Sequence, residues 1–122
     1  VWTVHIIYIE DDPTNIALVE RVVRMAQDTL TTFTSAEEAA LVIRPGDADL
    51  ILTDIDFREG MNGLELTRLL RQHGVKTPII AITAYDLQEY MHWSEAVGSN
   101  DFMVKPVNVP DLLNLLDYYR PE

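Results

Sequence analysis

Cysteine is absent from the sequence, which excludes zinc ribbons, thiol nucleophiles and disulfide scaffolds. Basic residues are scarce, with 9 Lys and Arg against 20 Asp and Glu for a formal net charge of -11. They form no stripe able to neutralise a phosphate backbone, so no direct nucleic-acid binding is expected, and an anionic membrane surface would repel the chain too. No apolar run approaches the roughly 18 residues that cross a bilayer, and no basic-then-apolar leader opens the chain. A cytoplasmic location is the expectation. Low-complexity tracts, repeats and linkers are also missing. What remains is 122 residues, 48% of them hydrophobic, which reads as a single domain over residues 1–122 that can bury about two thirds of its unfolded surface. The first residue is Val1 rather than Met, which suggests a trimmed chain or a piece of a longer one.

Apolar segments of two lengths alternate. Short β-rich runs at residues 4–9, 29–33, 50–53, 79–83 and 102–104 have the length of strands. Longer stretches with helical spacing lie between and after them. The first opens on Asp12-Pro13, a cap followed by a residue suited to the first helical position, and sets Ile16, Val19, Val23 and Ala26 on one face. Ser35 with Glu38 is a capping-box pattern for the second. Residues 63–73 carry Leu66, Leu69 and Leu70, and the last helical stretch carries Val109, Leu112, Leu113 and Leu116. Five strands alternating with five helices predict βαβ units, hence a parallel sheet covered by helices on both faces. The nearly continuous apolar runs around Ile7 and Ile80 fit central strands buried on both faces.

Ligands of such sheets sit beyond the carboxyl ends of the strands. There the sequence puts Glu10-Asp11-Asp12 after the first strand, Asp54-Ile55-Asp56 after the third, Thr83 at the end of the fourth and Lys105-Pro106 after the fifth. Crowded carboxylates need cations or protons to compensate them. Oxygen donors point to a hard divalent ion such as Mg2+, which commonly leaves a position for phosphate. Zinc and non-haem iron are disfavoured, because His5, His73 and His92 fall elsewhere. Lys105 supplies a point charge and Thr83 a hydroxyl donor, so the set suits a carboxylate attacking phosphorus to form an acyl phosphate. Asp54, ending the central strand, is the best nucleophile. A competing reading is a haloacid dehalogenase-like Mg2+-dependent phosphohydrolase, since Asp54-Ile55-Asp56 mimics its Asp-x-Asp motif, but the chain is short for such an enzyme and lacks a cap.

Glu10-Asp11, Asp54, Thr83-Ala84 and Lys105-Pro106, in this order and at these intervals, resemble the receiver domain of two-component response regulators over the whole chain. The resemblance implies a flavodoxin-like (βα)5 three-layer α/β sandwich with a parallel five-stranded sheet of order 2-1-3-4-5. It also implies phosphoryl transfer to Asp54 from a histidine kinase or histidine phosphotransfer protein, so the chain is no conventional enzyme and catalyses only its own phosphorylation and dephosphorylation. The implied cofactor is Mg2+, with Mn2+ as a substitute, held by Asp11, Asp54 and the backbone carbonyl of Asp56, with Glu10 acting through water. Thr83 and Phe102 would form the switch. Because Phe102 lacks the hydroxyl of the commoner Tyr, an inward bias of its ring is expected. The receiver of a hybrid histidine kinase is the nearest variant of this reading.

The sequence departs from the family in the loop 56–63, which is one residue longer than usual and lacks its Met-Pro; Gly60 suits a positive-φ turn there. More backbone mobility is expected in that loop. Asp56 and Tyr85 flank the route of water to a phosphoryl group in the family, with slow-to-moderate phosphate loss expected. Trp2 and Tyr8 read as packing groups. Tyr90, Met91 and Trp93 of the fourth helical stretch, with Leu115 and Tyr118 of the last, offer more apolar area than one buried face needs, so a homodimer or effector contact is expected across the fourth helix, fifth strand and fifth helix. Asp111, Leu115 and Asp117 do not supply the basic half of a charge-paired dimer face, so that mode of dimerisation is not expected.

Overall fold

The computed structural model describes residues 3–57, 59–84, 92 and 95–121. Five strands, β1 (His5–Ile9), β2 (Thr29–Phe33), β3 (Leu50–Asp54), β4 (Ile79–Thr83) and β5 (Asp101–Val104), form one parallel sheet of order β2-β1-β3-β4-β5. The helices are α1 (Pro13–Met25), α2 (Ala36–Val42), α3 (Gly63–Gln72) and α5 (Val109–Tyr118), while residues 95–97 are helical and are labelled α4. This is the expected architecture. β1 starts one residue later than its apolar run, β3 extends to Asp54, and β5 begins at Asp101. Helix α3 stops at Gln72 with His73 as its C-cap, and Ala26, the C-cap of α1, is partly buried against the same core as Val19 and Val23.

Alternation along each central strand splits the core into two layers. Ile6 and Tyr8 of β1, Leu50 and Leu52 of β3, and Ile80 and Ile82 of β4 pack under α1 and α5, where Val19, Val22, Val23, Leu112 and Leu116 meet them. Ile7, Ile9, Ile51 and Ile79 face Ala36 and Ala39 of α2 and Leu66 and Leu70 of α3. Each of the Ile, Leu and Val side chains among these contributes roughly 1.5–3 kcal/mol by leaving water. Helix starts are fixed by side-chain oxygens on orphan N–H groups: Asp12 accepts from Thr14, Ser35 from Glu38, and Asn62 and Glu65 close a full capping box.

The sheet's two ends are finished differently. At the amino end, Asp28 lies buried between the chain's entry and exit: its carboxylate accepts from the Val4 N–H at 3.0 Å and takes two 2.9 Å bonds from the Arg120 guanidinium. Burial alone would push this carboxyl up, but Arg120 and the Val4 N–H hold it below its ordinary value. An acid depressed on folding stabilises the fold above its unfolded pKa and loses that contribution as pH falls through the folded one. Asp28→Asn should therefore cost about 1–3 kcal/mol at neutral pH, with the gap to wild type closing in acid; equal melting curves at neutral pH would refute the role. His5 also sits at this end, its ring nitrogens 2.8 and 3.1 Å from the Thr29 and Thr31 hydroxyls, away from the carboxyl ends.

Candidate functional site

Strand register steps the polar residues around one edge. Ile9 is level with Thr53, Asp54 with Ile82 and Thr83 with Val104, so Glu10, Asp54, Thr83 and Lys105 follow one another across the carboxyl ends of β1, β3, β4 and β5. The backbone N–H of Lys105 donates to the Thr83 carbonyl at 2.7 Å, extending the β4–β5 ladder to the point where the lysine side chain turns back over the sheet.

That side chain reaches between two carboxylates. Lys105 Nζ lies 2.9 Å from Glu10 Oε1 and 3.2 Å from Asp54 Oδ2, with Glu10 wholly enclosed and Lys105 only 18% exposed. Asp54 Oδ1 accepts from the Ile55 N–H at 2.8 Å. Burial pushes the Asp54 carboxyl up to about 7, with the Glu10 charge acting in the same direction and Lys105 opposing both. The Lys105 ammonium is held above its ordinary value, since its bonds to Glu10 and the Asp54 charge outweigh the burial that would lower it. The centre is thus a crowded anionic pocket short of positive charge.

Glu10 has no idle acceptor. Oε1 takes the Tyr8 hydroxyl at 3.0 Å as well as Lys105, and Oε2 takes the N–H groups of Asp11 and Asp12 at 3.1 and 3.3 Å. An ionised carboxylate offers about four lone-pair positions, and these four donors use them. Tyr8 read as a packing group in the sequence. It is one, but its fully buried ring also carries a hydroxyl into the site; the signal was its position two residues before Glu10, which puts both on one face of β1.

Oxygen atoms of Glu10, Asp11 and Asp54 all come within 4.8 Å of one another. An all-carboxylate donor set with one incomplete cation fits Mg2+ and gives nothing for a thiophilic metal. Asp12 stays out of the cluster as the cap of α1. Asp56 is exposed in the loop after β3, and its side chain is outside the cluster. The longer loop is anchored at its far end: Glu37 of α2 accepts from the Met61 N–H at 2.9 Å, and Gly63 N–H donates to the Ile55 carbonyl at 2.9 Å. Thr83 is buried. Phe102 is half-buried, packed with Leu64 against Ile55 and Ala81. Leu115 packs on the α1/α5 core, whereas Tyr118 is 79% exposed with its ring edge on Tyr119. Trp2, Tyr85, Tyr90, Met91 and Trp93 lie outside the described residues.

This sheet order, with an acidic cluster and a lysine at the carboxyl edge, defines a class of flavodoxin-like α/β modules. The sequence profile described as "Response regulator receiver domain" matches residues 6–117, and the chain belongs to that family, a receiver domain of two-component systems. Among curated proteins it is 29% identical over 115 residues to the signal transduction histidine-protein kinase BarA of Escherichia coli K12, covering 93% of this chain but 12% of BarA. It is 28% identical over 109 residues to the transcriptional regulatory protein TcrA of Mycobacterium tuberculosis, covering 89% of this chain and 43% of TcrA. The chain therefore spans a minor part of either relative. Among solved structures, the receiver domain of the sensor histidine kinase PA1611 from Pseudomonas aeruginosa PAO1, which has a magnesium ion coordinated in its active-site cleft, superposes with a TM-score of 0.84 at 28% identity, over 97% of this chain and 98% of that one. The receiver domain of Ssk1, solved with the Saccharomyces cerevisiae histidine phosphotransfer protein Ypd1, shares the fold with a TM-score of 0.86 at 22% identity, over 97% of this chain and 89% of that one. Family membership sets Asp54-Ile55-Asp56 in a receiver rather than a phosphohydrolase. No helix among the described residues is long and apolar enough to cross a membrane.

Proposed function

We propose that residues 1–122 act as one receiver unit in which Asp54 accepts a phosphoryl group from the phosphohistidine of a histidine kinase or histidine phosphotransfer protein. The observation that carries this is the single ammonium, Lys105, shared by two enclosed carboxylates at 2.9 and 3.2 Å. An Asp54 carboxylate oxygen attacks phosphorus, the P–N bond breaks with its electrons passing to the imidazole, and an acyl phosphate remains on Asp54. Lys105 then turns to a phosphoryl oxygen and the Thr83 hydroxyl donates to another. Asp11, Asp54 and the carbonyl of Asp56 would hold Mg2+, or Mn2+ in its place, with Glu10 behind them through water. When bound, the cation neutralises charge on the transferring group. Thr83 and Phe102 relay the change to α4, β5 and α5, where a second copy or an effector docks; no nucleic acid or membrane is engaged, in keeping with the net charge of -11. The same Asp54 site performs its own dephosphorylation.

The BarA and PA1611 likenesses favour one setting, the receiver of a hybrid kinase in the cytoplasm. The test is intact mass after incubation with acetyl phosphate and Mg2+. One added phosphoryl group is expected, absent without the cation and absent in Asp54→Asn; incorporation that survives the substitution would refute the assignment.

A further inference from the structure

The four donors on Glu10 are not equivalent. The Asp11 and Asp12 N–H groups are fixed backbone, and the Tyr8 hydroxyl is fixed by a ring sealed in the α1/α5 core, but Lys105 is a flexible side chain shared with Asp54. If Asp54 is the acceptor, as proposed above, the ammonium that bridges Glu10 Oε1 and Asp54 Oδ2 is drawn toward the phosphoryl oxygens and its bond to Oε1 loosens. Glu10 is buried completely, and stripping a buried carboxylate oxygen of its last donor carries a heavy penalty. Tyr8 removes that penalty because it bonds the same oxygen from below, 3.0 Å away, and has no reason to move.

We propose that Tyr8 is a positioning residue for phosphoryl capture, its hydroxyl remaining on Glu10 Oε1 while Lys105 transfers to the phosphoryl oxygens. Two donors on one oxygen also weaken each other's hold, so Tyr8 eases Lys105 off Glu10 before transfer and caps the oxygen after it. The inference is independent of which cation binds.

Tyr8→Phe keeps the buried ring and deletes only the hydroxyl. Two affinities are measured by calorimetry: Mg2+ alone, and BeF3−, a phosphoryl mimic, at saturating Mg2+. The expected result is BeF3− binding weakened roughly tenfold with Mg2+ affinity within about twofold of wild type. In a Glu10→Gln background, where no charge is left stranded, adding Tyr8→Phe should change BeF3− affinity little. In wild type labelled with 13Cζ-tyrosine, the Tyr8 resonance should shift when BeF3− binds, as Lys105 draws back from the Oε1 that its hydroxyl shares. Unchanged BeF3− affinity in Tyr8→Phe, equal losses for both ligands, a full Tyr8→Phe effect in the Glu10→Gln background, or a stationary Tyr8 resonance would each overturn the proposal. Failure of wild type to bind BeF3− at all would instead overturn the phospho-acceptor reading on which it rests.

Discussion

Gly63→Ala is expected to cost about 3 kcal/mol of stability, at the upper end of what overpacking a single methyl does. Gly63 opens α3 with its backbone pressed on the end of β3: an added Cβ would strike the Asp54 carbonyl oxygen and fall 2.9 Å from the Ile55 Cα. Both are backbone atoms, and neither can swing aside. The Asp54 carbonyl is further pinned by the Thr53 hydroxyl at 2.8 Å, and the Gly63 N–H is committed to the Ile55 carbonyl. Relief must therefore come from pushing α3 off the sheet, which opens the contact of Leu66 and Leu70 with β1, β3 and β4 and tilts the acceptor aspartate. Gly46→Ala is the matched comparison. That glycine has a φ of +86° with nothing within 4 Å of a Cβ, so it should lose only the roughly 1–2 kcal/mol of a left-handed alanine. Urea unfolding of the two variants decides the point, and a Gly63→Ala midpoint no lower than that of Gly46→Ala would refute it.

What the sequence made legible follows the range of the forces involved. Strand and helix positions, the two-layer core and the Asp12 and Ser35 caps depend on neighbours within a few residues, and the periodicity of Ile, Val and Leu carried them. The carboxyl-edge residues were legible for a related reason: in a parallel sheet every strand ends at the same edge, so Glu10, Asp54, Thr83 and Lys105 had to converge. Contacts decided by exact side-chain reach were not legible. The Tyr8 hydroxyl counted as part of an apolar run, and the Asp28–Arg120 pair joins residues 92 positions apart. Arg71 ends an ordinary amphipathic helix in the sequence, yet its guanidinium bonds the carbonyls of Val75, Thr77 and Gly98 and the Asn100 side chain, stitching α3 to the loops around β4 and β5. Glu37, which accepts from the Met61 N–H of the long loop, carries no sequence signal of that contact.

Two substitutions at the site should move stability in opposite directions when no divalent cation is present. Lys105→Met removes the ammonium that Glu10 and Asp54 share, leaving two enclosed carboxylates facing each other; removing one partner of such a group costs about 3–5 kcal/mol. Asp54→Asn removes the repulsion instead, keeps the oxygen that accepts from the Ile55 N–H, and leaves Lys105 to Glu10 alone. It should gain on the order of 2 kcal/mol. The pH dependence separates this from a simple packing effect. Burial and the Glu10 charge push Asp54 up to about 7, so in the interval from about pH 4, where the unfolded carboxyl titrates, the folded state binds the extra proton. The Asp54 contribution to wild-type stability then falls as pH rises through that interval. Asn has no such proton, so its advantage should be small in acid, widen toward neutrality and level off above. Lys105→Met should fall over a wider pH interval, because losing the ammonium raises the cost of ionising Asp54 further. Added Mg2+ should restore Lys105→Met more than wild type and help Asp54→Asn least, by mass action on a carboxylate set of differing charge. Melting temperatures of the three proteins across pH, with and without Mg2+, carry the comparison. A destabilised Asp54→Asn at neutral pH without cation would mean that Asp54 is held by its bonds rather than strained by its neighbours.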